Sequence, residues 1–402
     1  MCVILQYNFK FAQIMENEFI NRELATVLKD AIQYFPVITL TGPRQSGKTT
    51  LLRNLFNDLP YYSLENLAIR DFAINDPVAF LEQHKEGMIL DEVHNTPDLL
   101  SYIQEVVDNY PKRRFILTGS SQFAMLKRIT QSLAGRTGVF ELMPLSYSEI
   151  KDRLINKTLD EILLNGFYPA IHAGKNISKY LYPAYVKTYL EKDVRDLLQI
   201  KDIMQFHTFL RLCAGRIGSV FNASELSNEV GVSSNTITSW LSVLQASYII
   251  FLLPPYFDNN RKRLTKSPKI YFVDTGLACY LLGIESTDQL SRDKMRGVLF
   301  ENFMITEALK FRFNQGKESN IYFYRDSHQN EIDLLIRKTT GLSAIEIKSS
   351  MTFNTQFEKT LRQIDNWVSN PVQEKTIIYA GTFENSTGAI KLFNYSNFKD
   401  LL

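Results

Sequence analysis

The chain has 402 residues, 45% hydrophobic and 22% charged, a globular balance that excludes disordered and fibrous classes and a length that calls for two or three domains. Its formal net charge of +2 creates no whole-molecule field able to select a polyanion, so a nucleic-acid partner must be argued from local patches. Cys2, Cys213 and Cys279 are too few and scattered for a disulfide framework or zinc knuckle, and the five His residues form no ligand-spaced cluster; a cytoplasmic location fits.

The opening MCVILQYNFKF has a short apolar run with neither a basic region before it nor a small-residue cleavage site after it, so no signal peptide is expected. From Phe35 to Leu142, strand-like runs alternate with helical patterns: PVITLT, a helix from Lys48, YYSL, MILDE, RFILTGS and VFELM. This alternation predicts an α/β fold with a doubly wound parallel sheet over about 20–145.

Inside that region residues 42–49 read GPRQSGKT, between a strand and a helix, the setting of a phosphate-binding loop. Gly42 and Gly47 let backbone N–H groups turn inward, with Pro43, Arg44, Gln45 and Ser46 between them and Thr50 just beyond; the helix N-terminus adds partial positive charge. Lys48 is expected on the β- and γ-phosphates and the Thr49 hydroxyl on Mg²⁺. MILDE ends in two carboxylates, placing Asp91 beside the Mg²⁺ and Glu92 either as the base that polarises water or as a solvated strand end. RFILTGSS puts Ser120 and Ser121 where a hydroxyl can sense the γ-phosphate. In SLAGR, Arg136 either neutralises transition-state charge, in cis or on a neighbouring subunit, or forms a surface salt bridge. Action in trans requires a homo-oligomer; action in cis needs only a monomer. No NKxD-type guanine-specifying sequence occurs, so ATP is the expected nucleotide.

Helical patterns rich in Leu and Tyr predict a connector over 146–200. Three short helical patterns, an apolar run and a basic loop then predict a winged helix over 201–266. Ala223–Leu244 reads ASELSNEVGVSSNTITSWLSVL, with a turn at Gly231 and a capped second helix from Ser233 or Ser234. In a DNA-reading version Ser234, Asn235, Thr236 and Ser239 face the major groove and Arg261, Lys262 and Arg263 meet phosphates; the alternative is an interdomain packing module. The apolar run Ala246–Pro255 falls short of the roughly 20 residues of a membrane-spanning helix and is read as a buried strand.

Residues 267–402 are expected to form a further α/β domain, with a long helix from near Arg296 and strands at IYFYRD, EIDLLIRK and SAIEIKSS. Glu346 and Lys348 lie two apart on one strand and so share a face. The short Gly341-containing loop makes a hairpin that can bring Asp333 opposite Glu346. Such carboxylates can hold Mg²⁺ beside an orienting lysine, with Glu301 from the preceding helix as a further ligand; a solvated strand pair with an ordinary Glu/Lys match is the other reading.

Taken together, TGPRQSGKTTLL, LDEVHN, LTGSS, SLAGR, NGFYPA, YLEKDVRDL, FLLPPY, KIYFVDTGLACYLLG, RGVLFENFM, EIDLLI and AIEIKSS make the chain resemble AAA-type ATPases of bacteria and archaea that carry a C-terminal domain of unknown function with a restriction-endonuclease-like fold. The resemblance covers almost the whole chain. It implies ATP hydrolysis by Lys48, Thr49, Asp91 and Glu92, and it sets Glu301, Asp333, Glu346 and Lys348 at the positions of a PD-(D/E)xK nuclease centre without implying cleavage. Where the family has two glycines before the aromatic of NGFYPA, this chain has Asn165 in the first position. The expected activity is ATP hydrolysis coupled to a nuclease-like module that contacts DNA, or an ATP-driven switch whose C-terminal half binds protein.

Overall fold

The computed structural model describes residues 19–119, 131–173, 177–190, 203–257 and 266–402. Five strands, β1 (Val37–Thr41), β2 (Tyr61–Ser63), β3 (Gly87–Asp91), β4 (Arg114–Thr118) and β5 (Thr137–Glu141), form one parallel sheet in the order β2-β3-β4-β1-β5. Side chains alternate across a strand, so each face receives every second residue. Ile38, Leu40, Ile89 and Ile116 bury on one face beneath α1 (Leu24–Ala31) and α2 (Lys48–Leu55). Val37, Met88, Leu90, Phe115 and Leu117 bury on the other against Leu99, Ile103 and Val107 of α3 (Leu99–Asn109). The sheet is doubly wound, and its parallel register brings Thr41, Asp91 and Thr118 to one edge.

Downstream come α4 (Leu159–Asn165), α5 (Ser178–Tyr185), α6 (Ile203–Ala214), α7 (Ala223–Val230) and α8 (Ser234–Ala246), then β6 (Ile250–Leu253) paired antiparallel with β7 (Lys269–Phe272). Asn222 and Ser233 accept backbone N–H groups at the starts of α7 and α8, and Gly231 takes the left-handed φ of +77° that ends α7. The basic loop with Arg261, Lys262 and Arg263 lies outside the described residues, as do Ser120, Ser121 and the stretch from residue 191 to 197.

Asp274 caps α9 (Thr275–Leu281) and explains the NGFYPA segment. Its carboxylate accepts the Leu277 N–H at 2.9 Å, the Phe167 N–H at 2.6 Å and the Tyr182 hydroxyl at 2.8 Å, all buried. Gly166, at φ +69°, leaves no room for a side chain: a Cβ there would stand 2.4 Å from both Asp274 and Tyr182. Asn165 answers Tyr182 with its backbone carbonyl and Ser178 with its side chain. The motif is a docking turn.

A second sheet, β12-β11-β10-β9-β8, is formed by β8 (Ile321–Arg325), β9 (Glu331–Lys338), β10 (Gly341–Lys348), β11 (Val372–Tyr379) and β12 (Lys391–Asn394). The first three are antiparallel, and β10, β11 and β12 run parallel. The helix α10 (Arg296–Asn314) packs on this sheet and is buried over most of its circumference. One apolar cluster continues without a break from Met143 to Phe398, crossing residues 200 and 266, so the middle region and one face of this sheet share a core.

Candidate functional site

The first site lies at the C-terminal edge of the parallel sheet, where open α/β sheets bind ligands. Gly42 follows β1 at φ +143°, and a Cβ there would stand 2.2 Å from the Leu142 carbonyl oxygen, so only glycine fits. The loop then turns through Gln45 at φ +62° and Gly47 at φ +91° into α2. Lys48, the first residue of that helix, is buried and donates to the carbonyls of Gly42 and Pro43, both at 2.8 Å. Burial pulls its ammonium down to about 8, although Glu92 and Asp91 favour the charged form.

Thr49 donates its hydroxyl to Asp91 Oδ2 at 2.8 Å, and Tyr61 donates to the same oxygen at 2.7 Å. Burial and that bond hold the Tyr61 phenol well above its usual range. Glu92 adopts a left-handed backbone, φ +54° and ψ +46°, which strains a non-glycine residue and recurs at functional sites. Its carboxylate lies 3.1 Å from His94 Nδ1. Thr118 sits between the P-loop strand and the Asp91 strand, opposite both Leu40 and Asp91. Its hydroxyl is buried and has no hydrogen-bond partner among the described residues, as is the hydroxyl of Ser46. Unpaired buried hydroxyls beside a nucleotide loop fit a ligand that supplies acceptors.

Arg136 is elsewhere. It precedes Thr137, which pairs with Val37 at the start of β1, so it stands on the edge of the sheet opposite the loop. Its guanidinium forks onto Asp108 at 2.6 and 2.8 Å on α3. Of the three readings of Arg136, in cis, in trans or in a surface ion pair, the structure contains the ion pair: Arg136 stands at the beginning of the closing strand, whereas the Lys48 loop is at the edge where that strand ends.

Two residues that sequence reading missed hold the loop from outside. Arg22 is buried and donates to the Ser46 carbonyl at 2.8 Å and the Met143 carbonyl at 2.7 Å, while its Nε meets Glu149 at 3.1 Å. Tyr248, at φ +55°, bonds Thr41 Oγ1 at 2.8 Å and Glu141 at 3.2 Å beneath the loop. Nothing local marks either, because both contacts span more than 20 residues of sequence. Arg22→Ala should lower the melting temperature, since it strands the buried Glu149 carboxylate, a loss of about 3 kcal/mol or more. It should also raise the KM for ATP about tenfold, equivalent to about 1.4 kcal/mol, and Arg22→Lys should recover part of the stability. Steady-state kinetics and a thermal melt of both variants check this.

The second constellation is in the C-terminal half. The β9–β10 ladder pairs Leu334 with Ile345, so the next step brings Asp333 to Glu346. Lys348 Nζ lies 3.0 Å from Asp333 Oδ2 and 2.5 Å from Glu346 Oε2. Burial and the Asp333 charge push Glu346 up to about 8. Burial opposes ionisation of Asp333 too, but Lys348, Lys269 and the Ile347 N–H outweigh it and hold that carboxyl low. Glu301 receives the Tyr271 hydroxyl at 2.5 Å and stands 3.5 Å from Lys269. Of the expected set, Asp333 and Glu346 meet at Lys348, and Glu301 is joined to Lys269 and Tyr271. Ammonium groups from Lys348 and Lys269 stand among these carboxylates, and no three acidic, His or Cys side chains among the described residues are arranged to hold a metal ion.

A parallel α/β sheet with a glycine loop leading into a helix, and an Asp-Glu pair ending a neighbouring strand, is the arrangement of a P-loop domain. Residues 34–151 match the AAA domain family; 156–288 match a domain of unknown function (DUF8612) and 296–398 another (DUF4143). The chain is 29% identical over 335 residues to an uncharacterized protein of Mycobacterium tuberculosis, covering 82% of this chain and 74% of that one. It is 22% identical over 409 residues to an uncharacterized protein of Haemophilus influenzae, covering 93% and 96%. Among solved structures it is similar to a Walker-type ATPase of Pyrococcus abyssi, at 17% identity and TM-score 0.47, covering 66% of this chain and 96% of that one. Among the described residues no helix is long and apolar enough to cross a membrane.

Proposed function

We propose that the chain binds and hydrolyses ATP with Mg²⁺ at the loop from Gly42 to Thr50 and uses the cycle to reposition its C-terminal half. The observation that carries this reading is the meeting of Lys48, Thr49 and Asp91 at one helix start, with Thr49 already bonded to Asp91 at 2.8 Å. Loop N–H groups from Arg44 to Thr50 and the Lys48 ammonium bind the phosphates, while the Arg44 and Gln45 side chains complete the rim. Thr49 and Asp91 would hold the Mg²⁺, which neutralises charge on the phosphates. Glu92 takes the proton of the attacking water. Thr118, the last residue of β4, and Ser120, which lies outside the described residues, would sense the γ-phosphate through their hydroxyls. Titration calorimetry with ATP and GTP tests the site: Mg²⁺-dependent binding that prefers ATP supports it, and no binding, or equal binding of both nucleotides, counts against it.

The route for transmission is physical. Arg22 and Tyr248 tie the loop to residues far outside it, and Glu149, the partner of Arg22, also accepts the Ser146 N–H. The neighbouring Tyr147 N–H donates to Glu307 on α10 at 2.8 Å. Contact with DNA through residues 201–266 is supported by the order of α6, α7 and α8 ahead of the β6–β7 pair, with Asn235 and Ser239 exposed on α8. Against it, α8 carries no Lys or Arg, and Ser234 is engaged by Ser227 at 3.2 Å. Salt-dependent binding to a duplex separates this reading from a protein-binding module.

A further inference from the structure

KIYFVDTG and RGVLFENFM are unexplained by ATP hydrolysis, yet they meet in space. Lys269 and Tyr271 on β7 approach Glu301 on α10, and the next residue of that helix, Asn302, bonds the Phe272 backbone on both sides, accepting its N–H at 2.7 Å and donating to its carbonyl at 2.8 Å. Asn302 thus serves β7 as a short strand partner. Lys269 is only 1% exposed. Its Nζ lies 2.6 Å from Glu331 and 3.5 Å from Glu301, 5.3 Å from the centre of the Phe323 ring, and Asp333 adds to the field upon it. A lysine is buried this completely only when carboxylates compensate it.

We propose that Lys269 is the resident cation of the carboxylate centre, so that Glu301, Glu331, Asp333 and Glu346, neutralised by Lys269 and Lys348, form a metal-free salt lock joining β7 to the C-terminal sheet. Three arguments support the lock. Lys348 Nζ contacts both Asp333 and Glu346, Lys269 Nζ contacts Glu331, and the Arg325 guanidinium stands 3.4 Å from Glu331. Further donors reach these acids: Glu346 Oε1 accepts the Thr360 hydroxyl at 2.8 Å, and Asp333 Oδ2, the oxygen that Lys348 contacts, also accepts the Ile347 N–H at 2.8 Å. Lastly, Lys269 arrives from β7, which pairs with β6 and not with the sheet that carries Glu331, Asp333 and Glu346, so its ion pairs tie the two sheets together. This inference is independent of the nucleotide reading.

The test is a Mn²⁺ titration followed by electron paramagnetic resonance on the full chain carrying Asp91→Asn, which silences the nucleotide site. With Lys269 intact, no saturable Mn²⁺ site is expected at neutral pH. Adding Lys269→Met removes the cation shared by Glu301 and Glu331 while Lys348 stays, and should create one saturable site, lost again when Asp333→Asn is introduced. A saturable ion in the Asp91→Asn chain that disappears with Asp333→Asn overturns the lock, as does a folded Lys269→Met chain that gains no ion. Should Lys269→Met fail to fold, the Asp91→Asn and Asp91→Asn/Asp333→Asn titrations still decide between lock and metal centre.

Discussion

Lys48→Ala should lower ATP turnover by about 100- to 1,000-fold, the loss measured when one preorganised donor to a developing negative charge is removed, and it should leave the melting temperature nearly unchanged. The reasoning is local. Lys48 spends its donors on the loop's own carbonyls, Gly42 and Pro43, and its alkyl stem adds little to the Leu51, Leu52, Ile38 core beneath it. Its depressed ammonium supplies an independent signature. Because burial brings the free group to about 8, and bound phosphates favour the protonated form, ATP binding must take up a proton above that pH. Affinity should therefore fall as pH rises through 8 in the wild-type chain and lose that dependence in Lys48→Ala. Phosphate release and calorimetry across pH check both statements, and undiminished turnover in the variant would remove the loop from the mechanism.

Glu92→Gln should act differently. The amide keeps the size of the side chain and leaves Thr49 and Asp91 in place, so nucleotide affinity should hold within a few-fold while kcat falls by about 100- to 10,000-fold, the range for loss of a general base. The left-handed backbone at Glu92 supports this assignment, because a mere solvated strand end has no reason to retain a strained conformation. Nucleotide co-purifying with the variant, or a slow single turnover, is the expected signature; loss of affinity in step with kcat would instead mark Glu92 as a binding or structural group.

Much of this was legible in the chain because the relevant signals are local. The loop GPRQSGKT is contiguous, the five strands of the first sheet announce themselves by short apolar runs between helical patterns, and the α7–α8 turn is written in Asn222, Gly231 and Ser233. A hairpin was read at Arg337–Leu342; the strands run further than that, leaving only Thr339 and Thr340 between β9 and β10, and their register carries Asp333 toward Glu346. What escaped was decided by tertiary neighbours. Arg22 and Tyr248 reach the nucleotide loop across long stretches of chain, and an arginine or tyrosine carries no mark of its distant partner. The strand β11 went unread since its first half, VQEK, is half-buried and polar, and only TIIY looks like a strand. Lys269 would be taken for a solvated residue at a strand start; it is buried because α10 and β9 bring Glu301 and Glu331 to it. For Arg136 the readings stayed open because sequence nearness to a strand does not say which end of the parallel sheet a residue occupies; it stands at the start of β5, paired with Asp108.

These outcomes separate the two halves of the chain. A P-loop site poised by Arg22 and Tyr248 should work through its phosphate contacts and its base, whereas the C-terminal carboxylates should respond to substitution through stability and ion binding. A fall in turnover caused by Lys269→Met, with nucleotide affinity preserved, would show that the lock also feeds back on the catalytic step.

The most direct test of the central claim is phosphate release by the purified chain with ATP and Mg²⁺, run beside Glu92→Gln with a binding measurement on both. The account predicts Mg²⁺-dependent release by the wild-type chain, abolished by chelation, and near-zero release by Glu92→Gln at retained ATP affinity. Release that persists unchanged in Glu92→Gln, or a wild-type chain that binds no ATP, would contradict it.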